Sequence, residues 1–360
     1  VPFSSKQIQD LAHGCGFEIA GVTAAAPHSD FSRFQAWAQS GKAAGLKYLT
    51  DRRGDLRADP RHLLPTAKSI ICLGKLYNTD RPLSIEQANP CHGWISRYAW
   101  GFDYHNVLRP KLEDLVRQLT SLNGAPFEAK ICIDTAPLLE RSYARAAGLG
   151  WIGKNTCLIH QQHGSWFFLA ELLVDLEIAP DAPVPDRCGS CARCIQACPT
   201  SAIVPNPAGG FDIDAGLCIS YLTIEERGPI ASKTARLHGS HIFGCDICQD
   251  VCPWNWQAHR NQADLSSEPG FAAQICAPDL AEMARLSAED FHRLFRRTPV
   301  WRAKYEGFLR NVAIAMGNSG SESMRAPLLQ LSRHHSELVS KTAGVALERL
   351  DSLTAENGRI

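Results

Sequence analysis

Neither sign of charge is in excess in this chain: 37 Lys and Arg balance 37 Asp and Glu. A polycation that coats nucleic acid wholesale is thereby excluded, and any nucleic-acid contact has to come from a local patch. No apolar run is long enough to span a bilayer. The opening "VPFSSKQIQDLAHGCGFEIAGV" has no basic segment followed by an apolar one, so nothing in it reads as a secretory leader. A secreted disulfide framework would also be shorter. The expectation is a soluble cytoplasmic protein with reduced thiols. One residue type is abundant, however: there are 14 cysteines in 360 residues. Thiols in that number need another task, and metal binding comes first.

The length implies two or three domains, and 45 % apolar residues are enough for a sizeable core. "SKQIQDLAHGCGF" has helical spacing and stops at glycines, and "EIAGVT" reads as a strand. "DFSRFQAWAQSGKAAGLKYL" reads as one amphipathic helix with Asp30 as its N-cap. "AKSIICLG", "EAKICID" and "SWFFLAELLVDLEI" read as strands, the first two of them buried. "RPKLEDLVRQLTSL" lies between the first two as a helix, and "APLLERSYARAAG" follows the second, capped at Gly148. Helices alternating with strands over residues 1–180 give an α/β or α+β sheet domain. The proline-rich "APDAPVPDR" opens a cysteine-dominated part over 181–260. "QAHRNQADLSSEPG" reads as a linker or surface loop, and residues 261–360 read as helical. There "FLRNVAIAMGN" and "VSKTAGVALERL" repeat a small-and-apolar pattern of the HEAT type. Two units rarely stand alone, so this segment is expected to dock on the rest of the protein.

"CGSCARCIQACPTSAI" carries C-x2-C-x2-C-x3-C followed by proline, the spacing of an iron–sulfur site. "CDICQDVCPWN" is a shorter second run. In two-cluster ferredoxins the fourth cysteine of each run ligates the other cluster. One cube then takes Cys188, Cys191, Cys194 and Cys252, and the other takes Cys198, Cys245 and Cys248. Cys218 is the only cysteine between the runs and is assigned as the missing ligand. A pair of zinc ribbons is the alternative, but zinc ribbons need neither the third close cysteine nor the Cys-Pro ending. Cys15, Cys72, Cys91, Cys132, Cys157 and Cys276 are scattered, with small buried apolar residues as their default reading. Clusters carry single electrons, so a large domain in front of them points to a cofactor or substrate pocket.

Three stretches of that domain, "DLRADPRHLLPTAKSIICLG", "RYAWGFDYHNVLRPKLEDL" and "KICIDTAPLLERSYARAAGLGWIGKN", stand beside the cysteine runs and "FRRTPVWRAKYEGFLRNVAIAMGN". Together they resemble epoxyqueuosine reductase over nearly the whole chain. The resemblance implies a cobalamin-binding sheet domain (1–180), a ferredoxin-like double [4Fe-4S] domain (181–260) and a helical HEAT-like domain that contacts tRNA (261–360). It further implies reduction of epoxyqueuosine to queuosine at the tRNA wobble position, with cobalamin and two [4Fe-4S] clusters. A low-potential donor such as ferredoxin or flavodoxin, no membrane and a monomer complete the expectation. Cobalamin rests on this resemblance alone: the D-x-H-x-x-G signature is absent and no histidine stands out as a lower ligand.

Asp134 ends a strand and precedes a helix, where its carboxyl can face a pocket or merely cap the helix; Thr135 offers itself as a substitute cap. The resemblance makes Asp134 the proton donor, which calls for a partly desolvated carboxyl of raised pKa. It also counts Asp134 among the cofactor contacts and adds Arg57, Tyr98, Lys154, Asn155, Ser165 and Ser220, each of these with ordinary surface or loop polarity as the bland alternative. Arg293, Arg296, Arg297, Arg302, Lys304 and Arg310 form a basic stripe suited to tRNA phosphates, or a solvated helix face. Two rival classes are a reductive dehalogenase-like reductase of small molecules, which a twin-arginine signal would favour, and a non-catalytic electron-transfer protein, which would not need the front domain.

Overall fold

The computed structural model describes residues 3–261 and 265–357. Its front part is built on four strands: β1 (Ile19–Ala24), β2 (Ser69–Leu76), β3 (Ala129–Cys132) and β4 (Phe167–Val174). They pair in the order β1-β2-β4-β3 with every neighbour antiparallel, so the helix–strand alternation resolves as α+β. β2 is buried at all eight positions, because both faces of the sheet are covered. Its side chains alternate between the two faces. Ile71 and Leu73 pack with α1 (Ser5–Gly14) and α3 (Tyr104–Asn123), whereas Ile70 and Cys72 pack with α4 (Glu140–Ala146). The stripe Leu108, Leu112, Leu115, Leu119 along α3 makes the first contact, at the spacing of one helical face. Ser4 and Gln7 close a capping box at the start of α1.

Three boundaries differ from expectation. α2 runs only Asp30–Gln39, and Asp30 is not its cap but lies in its first turn. The Asp30 carboxylate instead accepts from Ser142 Oγ at 2.8 Å and Arg145 Nη2 at 2.9 Å, tying α2 to α4. α3 begins at Tyr104, ahead of its apolar stripe, because Asp103 accepts the amide of His105 and starts the helix there. The stretch read as a linker is partly a helix, since Pro253–Arg260 is helical; residues 262–264 lie outside the described residues.

The C-terminal helices are docked on the rest. α5 (Tyr305–Asn318) buries every residue from Gly307 to Gly317, and α6 (Glu337–Asn357) lies against it. A side chain at Gly317 would stand 2.8 Å from Ala346 Cα, so the small residues set how closely the two helices approach. The structure shows this packed pair rather than a demonstrated HEAT repeat. Its core also contains Trp94, Ile95, Trp100, Ile242 and Phe243. The strand His241–Phe243 pairs in parallel with Trp94–Ile95. Among the described residues no helix is long and apolar enough to cross a membrane.

Arg310 departs from the basic stripe altogether. It is fully buried in α5, and its guanidinium donates to the carbonyls of Leu222, Glu226 and Gly228 at 2.7–2.8 Å. No phosphate can reach it; it is a bolt between α5 and the cysteine-rich part. Arg310→Ala is therefore expected to strip the charge-assisted bonds from three carbonyls and cost roughly 3 kcal/mol or more. A denaturant midpoint within a few per cent of the parent's would refute that assignment.

Candidate active site

β3 ends at Cys132, and the chain turns sharply before α4. Asp134 sits at φ +52°, a left-handed conformation uncommon outside glycine, although aspartate is among the residues that adopt it most readily. Its amide donates to Glu140 Oε1 at 2.7 Å. α4 starts only at Glu140, with Leu139 at its N-cap and no side-chain cap. Neither Asp134 nor Thr135 caps it; Thr135 Oγ1 turns back to the carbonyl of Ile133 at 3.3 Å. The helix-cap alternative for Asp134 therefore fails.

The Asp134 carboxylate is 44 % exposed rather than desolvated. Tyr104 Oη donates to its Oδ2 at 2.8 Å, with Arg302 Nη1 at 3.7 Å and His105 Nε2 at 4.0 Å. Arg302 Nε also meets Glu225 Oε1 at 2.5 Å, and Tyr48 and Tyr98 lie in the field of Arg302, Glu225 and Asp134. Tyr104 is wedged against Phe168 with ring centres 4.4 Å apart, and burial raises its phenol pKa well above the usual range. It therefore stays a neutral donor. The hydrogen bond to Asp103 raises His105, so this imidazole keeps its proton to higher pH than a free one.

This cluster corrects the sequence reading in two ways. Arg302, expected in the outward stripe, is exposed there and also pairs with Asp134. The desolvation expected of Asp134 falls on the carboxyls behind it: burial, then the charge of Asp134, push Glu140 up to about 7, and Glu171 is fully buried. Tyr48, Tyr104, His105, Glu140, Glu171 and Glu225 were not singled out. Tyr104 and His105 lie within the quoted "GFDYH", and their adjacency to a capping aspartate was the one local signal.

The other candidates are held by protein partners. Arg57 donates to the carbonyls of Arg53 at 2.8 Å and Tyr48 at 3.3 Å. Tyr98 is half-buried between Phe168 and Phe243 and faces the Asp134 cluster. Lys154 Nζ donates to the carbonyls of Gly189 at 2.6 Å and Cys191 at 2.9 Å, and Asn155 reaches that of Cys248 at 3.4 Å. Ser165 donates to Gln249 at 2.9 Å, and the Ser220 amide donates to the sulfur of Cys218. Of the stripe, Arg296 and Arg297 are exposed, with Arg297 lying over Phe102 at 4.8 Å; Arg293 is exposed and paired with Asp290 at 2.5 Å, and Lys304 is exposed over Trp301 at 5.3 Å.

The seven motif thiols and Cys218 fall into two sets. Cys194 lies in the electrostatic reach of Cys188, Cys191 and Cys252, and Cys252 in that of Cys188 and Cys191. Cys218 and Cys198 reach each other, and both reach Cys245, which in turn reaches Cys248. Cys157 stands within reach of both sets. A cavity of about 250 Å³ is lined by Cys188, Cys191, Cys194 and Cys252, with Lys154, Arg187 and Arg193 at its edge. Backbone amides of Ile195, Ala202, Ser220, Tyr221, Ile247, Trp254 and Asn255 donate to sulfurs of the two sets. Among the described residues no three ligating side chains converge on one point, as a lone ion would need. Thiols around a cavity, with amides aimed at them, suit multi-atom clusters whose sulfurs accept hydrogen bonds.

The model of the 4Fe-4S double cluster binding domain matches residues 187–255, and that of epoxyqueuosine reductase QueG, DUF1730, matches residues 57–135. The epoxyqueuosine reductase of Xanthomonas campestris pv. campestris is 38 % identical over 352 residues, covering 96 % of this chain and 95 % of its own. The chain belongs to the epoxyqueuosine reductase family. Solved epoxyqueuosine reductases share the fold. One, crystallised with a tRNA-Tyr epoxyqueuosine-modified stem loop, has a TM-score of 0.84 at 28 % identity, covering 96 % of this chain and 89 % of that one. Another, from Bacillus subtilis, is described with its Asp134 catalytic loop, in that protein's numbering, swung out of the active site. It has a TM-score of 0.83 at 27 % identity and covers 96 % of this chain and 90 % of that one.

Cys218 carries the assignment of the second cluster. Cys218→Ser is expected to lower bound iron by about half and leave one cluster intact. Iron analysis of reconstituted protein and the reduced-state EPR spectrum decide it; unchanged values would exclude Cys218 as a ligand.

Proposed function

We propose that this chain reduces the epoxide of epoxyqueuosine in tRNA to the alkene of queuosine. The observation that carries the reading is the reachable Asp134 carboxyl, presented on a left-handed turn and surrounded by Tyr104, His105 and Arg302, in a chain that belongs to this family. The overall change takes two electrons and two protons and releases the oxygen as water. Asp134 gives a proton to the epoxide oxygen as its bond to carbon breaks, because a bare alkoxide leaves poorly. Tyr104 orients that carboxyl, and Arg302 counters charge that develops beside it.

The residues present fit the cofactors the family implies. The two thiol sets would hold [4Fe-4S] clusters. Tyr98, with the half-buried Tyr48 and His105 Nε2, which has no hydrogen-bond partner among the described residues, offers a polar wall for the amide-edged cobalamin. Arg57, Lys154, Asn155, Ser165 and Ser220 support that wall and the cluster loops from behind. When bound, cobalamin supplies the low-potential chemistry that delivers the electrons. The chain's own share is to position the nucleoside and hold the proton. Lys154, Arg187 and Arg193 at the edge of the first thiol cavity suit an acidic low-potential donor such as ferredoxin or flavodoxin.

The exposed Arg293, Arg296, Arg297 and Lys304 are the phosphate contacts of this reading, on the same segment as Arg302 and so continuous with the site. The functional parts are 1–180, 181–260 and 261–360, acting as a monomer in the cytoplasm, where tRNA is found.

Asp134→Asn is expected to keep fold and clusters and slow single turnover on epoxyqueuosine-containing tRNA by about 10²–10⁴-fold. A rate within a few-fold of the parent's would remove Asp134 from the chemistry. Replacing Arg296 and Arg297 with Ala should weaken tRNA binding and flatten its salt dependence by roughly one unit for each phosphate that is no longer neutralised. Affinity unchanged across a salt series would place the docking surface elsewhere.

A further inference from the structure

The middle of β4 carries a carboxyl where a sheet ordinarily carries an apolar residue. Glu171 is fully buried, and neither of its carboxyl oxygens has a hydrogen bond of standard geometry. It stands opposite Cys72 on β2 and Cys132 on β3, both of them buried. A carboxylate left there alone would be strongly disfavoured. Burial, then the nearby Glu140 carboxyl, push Glu171 well above the ordinary carboxyl range. Glu140 is the first residue of α4, and its Oε1 receives the Asp134 amide. Arg57, Arg141 and Asp134 also act on Glu140, as do the thiols of Cys72 and Cys132, the latter beside Lys130. Two carboxyls coupled in a dry setting titrate as a pair, with one proton held between them over a wide range.

We propose that Glu140 is the positioning residue of the Asp134 turn: its carboxyl, backed by the buried Glu171, holds the Asp134 amide while Asp134 faces the substrate. The inference rests on the function proposed above. A left-handed backbone costs L-residues about 1–2 kcal/mol, less for an aspartate, and the Asp134 amide bond to Glu140 is a contact that offsets it. That bond is about twice as strong when the acceptor is ionised. Since Glu140 is pushed up to about 7, a second proton enters the pair as pH falls through that value. The turn is then tied by a neutral acceptor and loosens. Above about pH 7 it is tied by an anion and tightens.

Hydrogen exchange of the peptide spanning Ile133–Ala136, followed by mass spectrometry on the full chain without cofactor or tRNA and corrected for intrinsic exchange, reads the turn directly. The parent should be better protected at pH 8 than at pH 6. Glu140→Gln keeps an acceptor oxygen but no charge, so protection should persist and lose its dependence on pH. Glu140→Ala should lose protection at both pH values and slow single turnover by roughly tenfold with tRNA affinity unchanged, the factor set by one ordinary hydrogen bond. Glu171→Gln donates to Glu140 without a shared proton and should move the transition to lower pH. The proposal is overturned if Glu140→Ala leaves the turn protected, or if Glu140→Gln keeps the parent's pH dependence. If the parent chain does not reduce epoxyqueuosine in tRNA, the proposed function falls, whereas the exchange result still decides the role of Glu140.

Discussion

A single buried carboxylate joins the three parts of this protein. Asp246, between two cluster cysteines, accepts from Trp94 Nε1 at 3.1 Å, from Ser96 Oγ at 2.5 Å and from the Arg97 amide at 2.8 Å. Trp94 belongs at once to the front part and to the core shared with the C-terminal helices. A buried carboxylate with both oxygens engaged in this way admits one geometry, because any shift leaves charge uncompensated. Four residues on, one oxygen of Asp250 accepts from both the amide and the hydroxyl of Ser84, a second tie to the front part. The second cysteine run is therefore fixed against the front part by side chains that never touch a cluster. Tyr98, one residue beyond Arg97, is thereby placed between the cysteines and Asp134.

What could be read from residue order was whatever depends on covalent spacing. The two thiol sets follow from ligand counting, and Cys218 was the residue the count required. All four strands were legible as apolar runs, but β3, read as buried, is exposed at Ala129 and Lys130 because it lies at the edge of the sheet. The Asp134 cluster was not, since Tyr104, Glu140, Glu225 and Arg302 come from four separate elements that meet only after folding. Asp30 misled for a related reason: acidic residues before a helix are ordinarily caps, but here Ser142 and Arg145 claim the carboxylate.

The basic segment from Arg293 to Arg310 shows how little local charge density says of role. Arg296 and Arg297 face solvent, Arg302 is also exposed but pairs with Asp134 and Glu225, and Arg310 bonds carbonyls in the core. The difference lies in neighbours: Arg310 is set in "GFLRNVAIAMG", where every other position is apolar, small or the equally buried Asn311. Asn311 donates to the carbonyls of Thr223 and Ile242, both at 2.8–2.9 Å, so the pair acts as one polar island within α5.

α5 is submerged along eleven residues, and α6 forms much of the wall that keeps water from it. A helix of that kind has no outward face of its own; it is soluble only as the interior of something else. The C-terminal pair is thus less an appendage than the second half of a fold begun at Trp94. Arg310 and Asn311 thereby hold the Leu222–Gly228 segment, just beyond Cys218, from a helix remote in the chain.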